Sequence, residues 1–528
     1  MKSILKLNIS KSLLAVALLS GALVSCSEDT MDGINKDNNH TTDVPAKYIL
    51  ADVITSTAFS NVGGDLSTYL SAYVEHETGT HNQLYRAEIR QNEPSASSTF
   101  NNVWGNLYSS LKNARIVISK CSEGGNQEGN YKTKGIGEVM AAINSALIAD
   151  AFGDAPFSQA ALPELANGQP AYMNPELDAQ QDIYTSIMKY LDDAIVDLPK
   201  GDTHATGTVG SYDFIYGGDA AKWLKLAYGL KARYTMHLMA RSSDVAGDMA
   251  KVIEYVDKSF TSADEQAAYA VYDATNLNPL FDFEWSRDGI SASKSMSEKL
   301  VARNDPRARR VYFHPNSWSH FLPTDAGFNP APNGEPVQSQ YEYTYSVYVF
   351  AQTAPTLLLS YHELLFLKAE ALARLNRADE AKDALKEAVV AAIANTEVAV
   401  KAAVNAPKVL NYGGIEDITA DAITTTEAEE YFDTKVLPLF TANPLKEIMV
   451  QKYIAFWGAS GEATECYNDI RRMKALNENF VELKNANKFP LRCPYGADDT
   501  SANPNVKSAF GDGQYVYSEP VWWAGGSR

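Results

Sequence analysis

The sequence predicts a mainly α-helical protein in which paired helices form the scaffold and long irregular inserts interrupt it. Apolar residues recur at helical spacing over much of the chain. Strands and helices do not alternate, which argues against a doubly wound sheet. Residues 362–389, HELLFLKAEALARLNRADEAKDALKEAV, read as helix, short turn, helix. There Ala369, Ala381 and Ala388 occupy the small-residue positions of a tetratricopeptide repeat, where two helices cross closely. Leu365, Leu372 and Leu385 fit its larger apolar positions. A weaker candidate begins at Lys222-Trp223-Leu224-Lys225-Leu226-Ala227, with its second helix offset by an insertion. Such repeats stack, because one pair alone cannot bury its apolar face.

The elements follow in chain order. Lys2, Lys6 and Lys11 precede any acid, and an apolar run extends from Leu13 to Leu23. It is shorter than the roughly 20 residues a spanning helix needs, and it reads as a secretory signal. It ends in Leu23-Val24-Ser25-Cys26, which resembles a bacterial lipobox, with cleavage before Cys26 and a diacylglyceryl group on its thiol. At roughly 0.8 kcal/mol per buried methylene, two or three acyl chains anchor a protein to a membrane without spanning it. Residues 1–25 are therefore expected to be a signal peptide and 26–44 a polar tether, with one domain over 45–528. Its helical parts are expected at about 45–260 and 355–475.

A helix is expected from Pro45, with Ile49, Val53, Ile54 and Ala58 on one face. Another spans 99–118, with Val103, Leu107, Leu111, Ala114 and Val117 at helical spacing. Amphipathic helices follow at about 136–151, 180–198, 219–241, 247–259, 357–375, 379–395 and 446–475. Loop-rich inserts lie at about 261–350, 405–445 and 476–528. Their aromatic content (Trp285, Trp318, Tyr341, Tyr343, Tyr345 and Tyr348) favours order over disorder. Tyr341, Tyr343 and Tyr345 alternate as a strand does, and Val521-Trp522-Trp523 is apolar enough to pack.

Charge excludes some partners. The formal charge of −19 becomes −22 once the lysines of residues 1–25 are removed. That balance repels nucleic acid and anionic membrane, and it argues against a polyanionic ligand unless a local basic patch exists. After Cys26, Cys121, Cys466 and Cys493 remain, an odd number in no zinc pattern, and they read as buried small hydrophobes. His76 and His81 flank an acidic loop, but their spacing fits neither a helical ligand pair nor a finger, so no metal is expected.

Several phrases carry a family resemblance: FNNVWGNLYSSLKNA (100–114), DAFGDAPFSQA (150–160), DAQQDIYTSIMKYLDDAI (178–195), GGDAAKWLKLAYGLKAR (217–233), NDPRAR (304–309), PTLLLSYHELLFLKAEAL (355–372), EIMVQKYIAFWG (447–458), EATECYNDIRRM (462–473), FPLRCPY (489–495) and VWW (521–523). In this order they resemble the SusD/RagB-like outer-membrane nutrient-binding lipoproteins of Bacteroidota. The resemblance implies a tetratricopeptide-like helical scaffold with irregular loops on one side forming the ligand site. It implies a partner, a SusC-like TonB-dependent transporter barrel that the lipoprotein covers. It also implies oligosaccharide capture at the outer membrane, or peptide in some members, with no catalytic residue and no cofactor. The acids after Cys26 (Glu28, Asp29 and Asp32) resemble the surface-export signal of such lipoproteins.

Most matched residues are expected to be structural. Gly153 and Gly217 permit turns, Pro156 stiffens one, and Asp305-Pro306-Arg307 fixes a helix end. Trp104, Trp223 and Trp457 read as core, and Arg471 and Arg472 as cations at a helix C-terminus.

A sugar site needs flat aromatic faces and a few oriented polar groups. The resemblance places such sites in loops between helices, here first at Glu75–Arg86, with His81 and Tyr85. The second candidate is the 280–350 insert, with Trp285, Arg287, Asp288, Trp318 and Tyr341. Two rival readings remain. A lipid-anchored glycosidase needs a carboxylate pair, for which Glu75 with Glu77 or Asp282 with Glu284 are candidates. An adaptor would bind only proteins.

Overall fold

The computed structural model describes residues 43–90, 98–165, 168–511 and 515–528, with backbone alone at 98 and 99. Cys26, the expected signal and the acids after it lie outside the described residues. Residues Ala46–Arg528 form one compact unit.

The helices are α1 (Ala46–Ser56), α2 (Asp65–Tyr73), α3 (Asn82–Ile89), α4 (Ser98–Cys121), α5 (Tyr131–Phe152), α6 (Gln180–Asp197), α7 (Ala220–His237) and α8 (Val245–Asp257). In the first insert come α9 (Pro279–Arg287) and α10 (Lys294–Arg303), then α11 (Tyr361–Arg374) and α12 (Ala378–Val404). The remainder are α13 (Pro407–Leu410), α14 (Thr425–Tyr431), α15 (Leu437–Ala442), α16 (Pro444–Ala455), α17 (Ala463–Ala475), α18 (Ala497–Ala502) and α19 (Pro504–Phe510). The inserts are thus not bare loops, because short helices run through all three.

Small residues let the scaffold close. Ala369 on α11 and Ala381 and Ala388 on α12 are fully buried where the two helices pack, as the repeat pattern expects. Trp223 and Ala227 of α7 are equally buried, and α8 packs on both α7 and α11. The spaced residues of α4 all face the core. Helix α5 differs from the amphipathic expectation, since it is buried along nearly its whole length. Its glycines permit this, because a Cβ on Gly135 would meet Leu198 Cγ at 2.8 Å and one on Gly137 would meet Val117 Cγ1 at 2.9 Å. It is apolar and long enough to cross a membrane, but its burial is that of a core helix.

Among the described residues there are four two-stranded antiparallel ladders. They pair β1 (Glu77–Gly79) with β5, β2 (Ala155–Pro156) with β3 (Leu177–Asp178), and β4 (Ala267–Tyr269) with β8. The fourth pairs β6 with β7; the partners are β5 (Ile290–Ala292), β6 (Tyr312–Phe313), β7 (Tyr345–Ser346) and β8 (Thr356–Leu359). Two of them, β1 with β5 and β4 with β8, fasten the first insert to the rest of the fold. The helix expected from 357 therefore starts later. Residues 356–359 are strand, and Ser360 caps α11 by accepting from the Glu363 N–H at 3.1 Å. The helix expected over 446–475 is two, α16 and α17, broken at Phe456–Glu462. The tyrosine alternation is not a long strand, since only Tyr345 is in β7 and Tyr341 has a φ of 63°.

Trp104, Trp223, Trp457 and Trp523 are buried, and Cys121, Cys466 and Cys493 are free and buried. Arg471 and Arg472 depart from the helix-end expectation. Both are inside, where backbone dipole alone does not satisfy a guanidinium. Arg472 donates to both Glu370 oxygens, at 2.6 and 2.7 Å, and to Asp469 at 2.8 Å, joining α17 to α11. Arg471 lies 4.1 Å from the Tyr467 ring centroid and 4.9 Å from that of Trp523. Asp305 begins a short 3-10 helix at Pro306–Arg309 and holds Arg307 through both carboxylate oxygens, at 2.9 and 2.6 Å.

Removing one partner of a buried pair strands the other charge. Arg472→Ala is expected to destabilise the fold by roughly 3–5 kcal/mol, as measured by denaturant melts. A loss below about 1 kcal/mol would mean that Glu370 is satisfied without it.

Candidate functional site

Helix α9 builds one wall of an aromatic cleft of about 410 Å³. Its start is fixed by Asn278. That side chain accepts from the Leu280 N–H at 2.9 Å and donates to the carbonyls of Ala354 and Ala459, each at 2.9 Å. Its end is fixed by Asp288, a left-handed cap whose N–H donates to Glu284 O at 2.8 Å. Between them, Trp285 stacks on Phe281 at 5.3 Å with 14° between the rings.

The opposing wall comes from two loops. A turn from His314 to Ser319 carries Trp318, and Trp318 O accepts from the Glu416 N–H at 3.1 Å. This ties the turn to the segment holding Tyr412, which follows α13 and precedes Gly413 and Gly414, both at positive φ. Trp285 lies 6.4 Å from Trp318 at 65° and 5.6 Å from Tyr412 at 58°. Phe350, Tyr345 and Val349 supply the buried part of the lining, and Phe350 packs 5.6 Å from Trp318.

Polar groups complete it. The Tyr341 hydroxyl donates to Asp288 at 2.6 Å, and Asn316 and Ser317 lie beside Trp318 in the lining. Glu284 is 4% exposed. One of its oxygens accepts from the Gly289 and Ile290 N–H groups, each at 2.9 Å, while the other has no hydrogen-bond partner among the described residues. Burial pushes this carboxyl up to about 8, against the two N–H groups that lower it. Among the described residues, no lysine, arginine or histidine lines the cleft.

Three lining residues have left-handed backbone. Asp288, Trp318 and Tyr341 have φ of 46°, 52° and 63°. Such values are uncommon outside glycine and are held only where the surroundings enforce them, typically at ligand sites and turns.

The structure brings three of the sequence candidates together, Trp285, Trp318 and Tyr341, and leaves three out. Arg287 points to the other side of α9, where it lies 4.7 Å from the Phe283 ring and lines a cavity of about 190 Å³ with Asp65 and Asp282. His81 precedes α3 and Tyr85 lies within it; both are half-buried and neither lines the cleft. The Glu75–Arg86 segment is largely not an open ligand loop. Glu75, His76, Glu77, Thr78 and Thr80 are buried, because β1 pairs with β5 there. His76 Nε2 bonds Tyr453 O at 2.9 Å, and Glu77 accepts from Ser346 at 2.6 Å and Trp457 at 2.9 Å. Tyr412 was missed by sequence reasoning. Its signal is a lone tyrosine ahead of two glycines, and it is 74% exposed.

The carboxylate pairs proposed for hydrolysis do not hold. Asp282 and Glu284 are two residues apart on a helix and so face different cavities. Glu75 and Glu77 serve internal hydrogen bonds. Among the described residues, Asp150, His237 and Glu465 form a metal-like cluster. Burial alone would lower the His237 imidazole, but Asp150 and Glu465 outweigh it and raise it to about 9. With no ion bound, the imidazole is an ion-pair partner of both carboxylates, 3.3 Å from Asp150 and 2.9 Å from Glu465.

A family model for SusD-like proteins, described as starch-binding associating with outer membrane, matches residues 38–495. A SusD/RagB family protein from Bacteroides thetaiotaomicron is 58% identical, with a TM-score of 0.86, covering 92% of this chain and 100% of that one. A chitin-binding protein is 21% identical, with a TM-score of 0.68, covering 91% of this chain and 100% of that one. A chitin-binding SusD homolog from Flavobacterium johnsoniae is 16% identical, with a TM-score of 0.63, covering 91% and 98%. These last two share the fold. No curated protein matches.

Glu77 and Glu284 are both pushed up to about 8, by burial first. Between roughly pH 5 and 8 the native state then holds more protons than the unfolded chain, so stability falls as pH rises through that window. Glu284→Gln keeps an acceptor for the Gly289 and Ile290 N–H groups. It is expected to flatten part of this fall in thermal melts recorded across the window, and an unchanged slope would count against a protonated Glu284.

Proposed function

This chain belongs to the SusD/RagB family of SusD-like proteins, and from that premise we propose that its aromatic cleft captures neutral oligosaccharides at the outer membrane. The observation that carries this reading is the lining: inclined, accessible rings of Trp285, Trp318 and Tyr412 beside hydroxyl-binding groups, with no cation among the described residues. Sugar rings present apolar C–H faces to such side chains and hydroxyls to groups such as Asp288, Asn316 and Glu284. Rings inclined at 58° and 65° form a curved surface and suit a curved chain better than a flat one. The starch-binding description of the family and the chitin-binding relatives support a saccharide of this kind. In this reading Cys26 carries lipid, residues 26–44 form the tether, and the domain hands its ligand to a SusC-like TonB-dependent barrel facing the cell exterior. Binding alone requires neither cofactor nor catalysis.

Titration of the purified protein against neutral oligosaccharides and peptides tests the reading, with product analysis of each mixture. Saturable binding of a glycan without cleavage is expected. Peptide binding alone would move the protein to a peptide-capturing role, and release of shortened sugars would make it a hydrolase.

Tyr412 and Trp318 separate binding from folding. A stacked ring contributes on the order of 1–3 kcal/mol to planar ligands, and sugars are expected at about 1 kcal/mol. Tyr412→Ala and Trp318→Ala are therefore expected to raise the glycan Kd about fivefold or more. Tyr412→Ala should leave the melting temperature unchanged, since that ring is exposed. Unaltered affinity in both variants would remove the cleft from the function.

A further inference from the structure

A second cavity, of about 450 Å³, lies between the end of α3, the start of α16, the end of α17 and the chain from Glu478 to Phe489. It shares no lining residue with the aromatic cleft. Its charge is opposite to that of the chain, which carries −19. Arg90, Lys446 and Lys474 line it, and none forms an ion pair among the described residues. The acids in the lining are engaged elsewhere. Glu478 accepts from Arg374 at 2.9 and 2.7 Å, and Glu482 pairs with Lys484 at 2.8 Å.

Arg90 is 5% exposed. One amino group caps α2 by donating to Tyr73 O at 2.9 Å, and its Nε has no hydrogen-bond partner among the described residues. The guanidinium lies 5.6 Å from the Tyr73 ring and 5.8 Å from the Phe489 ring. Lys474 sits 4.9 Å from the same Phe489 ring, and burial first, then the Arg90 charge, hold its ammonium below the ordinary value. The C-terminal ends of α3 and α17 supply roughly half a negative charge each, and the start of α16 a positive one, so the helix ends do not neutralise the lining cations. Like charges gathered in a partly dry cavity are relieved by a bound anion.

We propose that this cavity binds the carboxylate of an acidic sugar, a uronic acid unit, at a site separate from the neutral-glycan cleft. The lining favours a sugar acid over an acidic peptide. Half-buried Phe480 and Phe489 offer ring faces, Asn479 and Asn487 offer amides, and the volume falls within the roughly 300–1,000 Å³ of small-ligand pockets. The site is the local basic patch without which the acidic composition argues against anionic ligands.

Calorimetric titration of the purified full-length protein with digalacturonate tests this, with maltotriose as the neutral probe of the cleft. Saturable digalacturonate binding is expected, weakened by salt. Lys474→Ala and the Lys446→Ala/Lys474→Ala double variant are expected to lose affinity about fivefold or more while keeping their maltotriose response. Trp318→Ala should leave digalacturonate binding unchanged. The proposal is overturned by absence of saturable binding in a folded sample, or by binding that survives the double variant. A tetraglutamate peptide binding more tightly than digalacturonate would replace the sugar acid with a protein partner. Because maltotriose reads the cleft alone, failure there and failure here are told apart.

Discussion

The Asp150 carboxylate gathers four separate parts of the chain. It sits near the end of α5, the most buried helix, and accepts from the Trp523 indole N–H at 2.9 Å and from the Tyr184 hydroxyl of α6. His237 of α7 lies at 3.3 Å, and the Asn468 amide of α17 donates at 3.4 Å. A carboxylate in this position is tolerated only because each oxygen is met. The same constraint explains the C-terminal Val521-Trp522-Trp523, which closes over the site and buries Trp523 against His237. Glu465 and Arg233 extend the network to Glu363 on α11, so the helical pairs are joined by charge as well as by apolar packing.

The cleft is held for a related reason. Its side chains hang from positions fixed by polar groups: buried Asn278 at one end of α9, half-buried Asp288 at the other, and buried Glu284 bonded to the turn into β5. Ligand-facing rings on such anchors lose little conformational freedom when they bind. The left-handed backbone at Asp288, Trp318 and Tyr341 is maintained by the same supports, since an isolated loop would relax from it.

Charge divides the two cavities. One has rings and carboxyl groups without a cation; the other has rings and cations whose acids are occupied. A strongly acidic protein can still present an anion site, because screening and pairing make potential a local property. Net charge therefore bounds the average surface and not each pocket.

The helical scaffold was legible because its signals are local. Alanines at close crossings, the spacing of Val103 to Val117, and tryptophans on helical faces all depend on neighbours a few residues away. Trp285, Trp318 and Tyr341 stood out as aromatics in a stretch with no expected helix, although Trp285 lies on α9 one turn after Phe281. What the sequence could not decide depended on distant partners. The Glu75–Arg86 segment looks like a polar loop, yet its pairing with Ile290–Ala292 buries it. Arg471 and Arg472 look like helix-end cations until Glu370, Asp469 and Trp523 are placed around them. Arg287 parts from Trp285 by the turn of one helix, and Tyr412 joins Trp285 across more than a hundred residues. The sequence by itself determined the long helices of the scaffold and the aromatic-rich insert that carries the cleft, but not the short helices within the inserts. Only the tertiary structure decided which polar groups are buried and which rings meet, because both follow from contacts between residues far apart in the chain.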